Sequence, residues 1–193
     1  VRMQFSKRLG LFGDEVFAAL NAKRRELEAQ GREVFDLSVG TPDFEPPHHV
    51  VEALRKSAED PANWKYALHD KDELLQAVCD YYRTRFGVES ITPSMVMSCR
   101  GTQEGMGHVC AALADPGDVA LIPDPCYPVF ATVTLLAGAK PWYYPLTAEH
   151  DFLPWVEGIP KDVADAARYM VVSLPANPVG SVGTPEVYEQ IIA

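Results

Sequence analysis

From residue 95 onward the chain alternates short apolar runs, at 95–98, 119–122, 140–146 and 169–174, with helical stretches near 103–114, 127–137 and 161–167. Strands joined through helix-length crossovers emerge in the same direction, so this order demands parallel pairing with helices packed on the sheet. The expected fold is α/β: three layers, with a mainly parallel sheet flanked by helices.

Upstream the pattern is helical. Asp14 can cap a helix running to about Gln30, with Val16, Phe17, Leu20 and Leu27 on one side and Gly31 as its stop. Residues 1–13 read as an irregular arm. Gly40-Thr41-Pro42-Asp43-Phe44-Glu45-Pro46-Pro47 carries too many prolines for a helix and reads as an ordered loop. A second helix is expected over 48–59. A third is expected over 70–86, where Leu74, Leu75, Val78, Tyr81, Tyr82 and Phe86 recur at helical spacing before Gly87. At the far end Thr184-Pro185-Glu186 starts a helix, with Thr as cap and Pro in the first turn. That helix has barely two turns before Ala193, so a truncated domain is expected.

A chain of 193 residues can bury a sizeable core, roughly 70% of its unfolded surface. Its formal charge of −10 argues against general binding to nucleic acid or an anionic membrane surface. Four cysteines (Cys79, Cys99, Cys110 and Cys126) show neither CxxC spacing nor a companion histidine pattern. Reduced thiols in a cytoplasmic protein are therefore expected, with no disulfide scaffold and no metal site. No apolar run reaches membrane-spanning length.

Three segments carry the chemistry. Gly101-Thr102-Gln103 is expected to follow a strand and open a helix. There the free N–H groups and the Thr102 hydroxyl form an anion cradle. The plainer alternative is a tight turn capped by Thr102. Asp124-Pro125-Cys126-Tyr127-Pro128 follows the apolar run 119–122, at the carboxyl edge where open parallel sheets bind ligands. Tyr127 there either stacks on a planar ligand or packs the loop. Asn177, between Pro175-Ala176 and Pro178-Val179-Gly180, reads as a buried amide at a third strand end. It either meets a ligand oxygen or caps its turn.

With Gly40-Thr41-Pro42-Asp43-Phe44, the Tyr66 region, the helix from Leu74 to Val88 and Pro116-Gly117-Asp118, these motifs stand in the order and spacing of a known family. The chain resembles the fold type I pyridoxal-phosphate (PLP) aminotransferases of class I/II, and the resemblance covers nearly its whole length. It implies that Gly101, Thr102 and Gln103 hold the phosphate of PLP and that Tyr127 stacks on the pyridine ring. Asn177 would hydrogen-bond the phenolic oxygen and help receive the substrate carboxylate, and Gly40 would line the substrate pocket. Tyr66 would reach the phosphate in the neighbouring subunit, making the protein a homodimer with shared sites. Residues 1–47 would be the arm, first helix and substrate loop of the small domain. Residues 48–193 would be a partial PLP-binding large domain.

The resemblance also implies what is missing. The family's Schiff-base lysine, its substrate-clamping arginine, and the Asp and Tyr that contact the pyridine ring follow the Asn-Pro motif. None of them fits within the thirteen residues after Gly180. All seven lysines lie upstream, in other contexts. The expected activity is amino-group transfer from an L-amino acid to a 2-oxo acid by the complete enzyme, with no catalytic lysine in this segment. A C–S lyase on the same scaffold is the alternative within the enzyme class, and a non-catalytic remnant or binding module is the alternative outside it.

Overall fold

A computed structural model describes residues 3–13, 16–37, 40 and 42–193, with the side chains of residues 16 and 17 left out. The Asp14 cap, the apolar role of Val16 and Phe17, and Ser38, Val39 and Thr41 of the loop region lie outside what is described. The chain divides into two compact units, residues 14–98 and residues 99–193 with 1–13.

The second unit holds the sheet. Three parallel strands, β1 (Val119–Asp124), β2 (Lys140–Pro145) and β3 (Ala167–Met170), lie in the order β2-β1-β3. The run expected over 169–174 is thus strand only to Met170, after which Val171 donates one more backbone bond to Leu121. β1 is central, and its side chains serve two cores. Ala120 and Ile122 join Phe130 on one face, while Leu121 joins Tyr144, Leu146 and Ala176 on the other. Helix α5 (Val129–Ala137) covers the first face and packs on helix α4 (Thr102–Leu113). Helix α6 (Lys161–Ala166) contributes Val163 to the second. Two covered faces are what a fully apolar parallel strand requires.

Glycine is needed where α5 ends. Gly138 adopts φ 88°, and a Cβ there would stand 3.2 Å from Pro116 Cα. At the amino edge of the sheet, the Asp118 carboxylate accepts from Asp115 N–H and from Arg168 Nε, which holds its carboxyl below the ordinary value. A short 3₁₀ turn at Lys7–Leu11 packs on α5, so the arm is less irregular than its sequence suggests.

The other unit contains α1 (Val16–Ala29), α2 (His48–Glu59) and α3 (Asp72–Phe86), the last closed by Gly87. Residues 95–98 are not a strand. Pro93–Met95 is a 3₁₀ turn, and Met95 and Met97 are exposed. The Ser98 N–H and hydroxyl both go to the Asp70 carboxylate, so the backbone donor that a ladder would use is taken. Those two bonds hold the Asp70 carboxyl below its ordinary value, the hydroxyl more than the amide.

A carboxyl depressed in the folded state contributes stability above its unfolded pKa, about 3.9. That contribution disappears as pH falls through the lower folded value. Asp70→Asn is expected to speed amide exchange at Ser98 near pH 7, with variant and parent converging below the folded value. Equal exchange rates at pH 7 would show that the carboxylate does not pin this segment.

The terminal helix α7 (Pro185–Ile192) starts where expected, with Thr184 at the cap position and Pro185 in the first turn. The Thr184 hydroxyl makes no bond to a helix N–H. The Thr184 side chain beside the Glu186 carboxylate is the leading reason that this carboxyl is held below its ordinary value.

Candidate active site

Gly101 stands at the cap position of α4 with φ 88° and ψ 156°. Thr102 is therefore the first helical residue and not the cap, which removes the plainer reading of this turn. Among the described residues, the backbone N–H groups of Gly101, Thr102 and Gln103 and the Thr102 hydroxyl have no hydrogen-bond partner. Glu104 turns back to accept the N–H of Arg100 at 2.5 Å and lies 3.7 Å from His108 Nε2. The first turn thus presents donors and positive dipole outward, the arrangement that receives a phosphate or carboxylate.

Gln103 reaches further than its own turn. Its Nε2 donates to the hydroxyl of Tyr127 at 2.7 Å, across 24 residues of sequence. Tyr127 lies on the loop leaving the carboxyl end of β1, half-buried against the Ala120–Ile122–Phe130 core. Its ring meets Phe130 edge-on at 6.0 Å. The structure therefore joins two of the expected cofactor residues, the phosphate loop and the stacking ring, by a direct bond. The neighbouring Cys126 thiol is pushed up by burial and by the Asp124 carboxylate, so it stays protonated and is a poor nucleophile.

Asn177 departs from expectation. Its side chain is exposed, and it is Ala176 that is buried, packing with Leu121, Tyr144 and Leu146. The turn is closed by backbone bonds, Ala176 N–H to Ser181 O and Gly180 N–H to Ala176 O. The Asn177 amide is thus not needed to cap it, and among the described residues it has no partner. Asn177 follows β3 as Tyr127 follows β1, so both leave the carboxyl ends of adjacent parallel strands. Because residues 95–98 form no strand, the Gly101 loop is placed by α4 and by its bond to Tyr127, not by a strand end of its own.

Tyr66 and Gly40 belong to the other unit, and both are exposed. Tyr66 follows the 3₁₀ turn Pro61–Trp64 and is 90% accessible.

Sequence reasoning did not find the apolar cavity of about 420 Å³ between α4 and β3, lined by Thr102, Met106, Tyr169 and Val171 among others. Tyr169 bonds Thr134 at 2.8 Å, and its phenol is pushed up to about 12 by burial and by Cys110. It is no acid–base group near neutrality. Among the described residues no cluster of His, Cys, Asp or Glu is arranged for a metal ion, and no helix is long and apolar enough to cross a membrane.

Comparison with known proteins agrees with this architecture. LL-diaminopimelate aminotransferase of Aquifex aeolicus is 39% identical over 190 residues, 98% of this chain and 49% of that protein. The same-named enzyme of Dehalococcoides mccartyi strain 195 is 39% identical over 189 residues. The chain spans about half the length of the curated relatives it matches. Among solved structures, substrate-bound BacF from Bacillus superposes with a TM-score of 0.90 at 28% identity, covering 98% of this chain and 49% of that one. Alanine aminotransferase from Pyrococcus furiosus gives 0.87 at 31% identity, covering 98% and 48%. The profile of the aminotransferases of class I and II matches residues 32–193, and the chain belongs to that family.

Proposed function

We propose that this chain supplies the phosphate cradle and one ring-face platform of a PLP-dependent aminotransferase, which moves an amino group from an L-amino acid to a 2-oxo acid. The observation that carries the reading is the 2.7 Å bond from Gln103 to Tyr127, which ties an open helix N-terminus to an aromatic ring at the sheet's carboxyl edge. A planar phosphorylated ligand matches both features. Pyridoxal phosphate, when bound, supplies an electron sink, and the protein supplies orientation and charge.

In this reading the N–H groups of Gly101, Thr102 and Gln103 and the Thr102 hydroxyl hold the phosphate. Tyr127 packs on the ring, and the free Asn177 amide meets the phenolic oxygen and the substrate carboxylate. Gly40 lines the substrate pocket, and Tyr66 serves the partner subunit of a cytoplasmic homodimer. Residues 1–47 belong to the arm and small domain, residues 48–193 to the large domain. The names of the relatives make LL-diaminopimelate the first amino donor to assay.

The test is a titration of the chain with PLP, followed by tryptophan fluorescence. PLP is expected to bind in competition with inorganic phosphate, and pyridoxal to bind at least about ten-fold more weakly, since charge-assisted bonds to the phosphate are lost. Borohydride is expected to link no single lysine of the seven to PLP stoichiometrically. Binding indifferent to phosphate would sink the cradle, and one uniquely trapped lysine would show a reactive amine in this segment.

A further inference from the structure

We propose that Gln103 is a positioning residue whose side chain acts through the Tyr127 hydroxyl, so that it anchors the hydroxyl end of the stacking ring beside the cradle and offers the phosphate only its backbone N–H. The proposal rests on the functional reading above for its cofactor half. The hydrogen bond itself is independent of that reading.

Three observations carry it. First, the side-chain amide is already committed: Nε2 lies 2.7 Å from Tyr127 Oη. Second, among the described residues the ring is otherwise held through apolar contact, by Phe130 edge-on and by the Ala120–Ile122 core. Such contact is non-directional and fixes no single point of the ring, whereas a directed bond at Oη, which lies on the ring's Cγ–Cζ axis, pins the hydroxyl end of that axis. Third, the helices that begin beside the two partners, α4 after Gly101 and α5 after Pro128, pack on each other. The bond therefore closes a rigid frame in which the spacing between cradle and ring face is set before any ligand arrives. Preorganisation of this kind strengthens binding by lowering the ordering cost.

The residue type fits the task. A glutamine donates to the phenol without adding charge at the cradle, while glutamate would accept from the same hydroxyl and repel a phosphate. Leucine keeps the bulk and loses the bond.

The experiment uses Gln103→Leu, Tyr127→Phe and the double variant of the whole 193-residue chain. Without ligand, tyrosine labelled with ¹³C at Cζ gives a Tyr127 signal, assigned by its loss in Tyr127→Phe, and this signal is expected to shift in Gln103→Leu. With ligand, each single variant is expected to bind PLP about three- to ten-fold more weakly, the size of one neutral hydrogen bond. The double variant is expected to be no weaker than the worse single, because both remove the same bond. Gln103→Leu is also expected to weaken pyridoxal, which has no phosphate, by the same factor as PLP.

An unmoved Tyr127 signal overturns the proposal. Additive losses overturn it too, as does a Gln103→Leu effect seen with PLP and absent with pyridoxal, which would place the amide on the phosphate. Failure of the parent chain to bind PLP at all would sink the functional reading and the cofactor half with it, while the Tyr127 signal would still decide the bond.

Discussion

Gly101→Ala is expected to reduce PLP affinity, folding stability, or both, with the two losses together amounting to about 1–3 kcal/mol. Gly101 sits at φ 88° and ψ 156°, in a region that residues with a Cβ essentially do not occupy. A Cβ built there meets nothing within 4 Å. The cost therefore comes from the residue's own backbone and cannot be relieved by moving a neighbour. Two responses are open to the chain. If α4 keeps its start, the strain appears as a lower urea midpoint with PLP affinity preserved. If the peptide rotates to relieve strain, the N–H groups of Gly101 and Thr102 turn away from the cradle. Stability then survives and affinity falls, by roughly five- to 150-fold for that energy. Urea unfolding and PLP titration on one preparation separate the two. A variant within two-fold of the parent in affinity and unchanged in midpoint would mean that Gly101 does not shape the cradle.

The strand–helix alternation after residue 119 was legible because each buried parallel strand needs an unbroken apolar run and each crossover needs a helix. Val119 to Ile122 meets the first need, and the stretch closed by Gly138 meets the second. Residues 95–98 have the same apolar character and no ladder. Pairing is set by distant partners, and the Asp70 carboxylate, 28 residues away, takes the Ser98 donor. Local apolarity cannot report that competition. The Asn177 segment failed for a related reason. The proline-flanked run suggested a buried amide, whereas the structure buries Ala176 and turns Asn177 out. Which of two adjacent residues faces the core depends on where the strand stops, and β3 stops at Met170.

The phosphate loop and Tyr127 were each legible as motifs, but not the bond between them. Gln103 and Tyr127 lie on separate elements with no periodic relation, and only the packing of α4 on α5 brings an amide to a phenol. The positive φ that makes Gly101 the cap was likewise hidden, since Gly-Thr is equally compatible with a Thr-capped turn.

Ile122→Ala should cost about 2–5 kcal/mol of stability, against about 0.5–1.5 for Ile122→Val. Ile122 is fully buried, on the central strand and on the face covered by Phe130, Met106, Tyr127 and Tyr169. Its backbone pairs with β2 opposite Tyr143, so the strand cannot shift to close the void. The surrounding rings relax only in part, and the cavity adds to the lost transfer energy. Since a domain of this kind is stable by about 5–15 kcal/mol, alanine is expected to move the urea midpoint by a large fraction of its value with the slope unchanged. The same void lies under the loop that carries Tyr127. In the fraction that remains folded, PLP affinity should therefore fall in Ile122→Ala and hold in Ile122→Val, because only the larger cavity frees the ring from the core that opposes the Gln103 bond. A loss below about 1 kcal/mol for alanine would show that this face is not close-packed, and the ring platform would then rest on Gln103 and Phe130 alone.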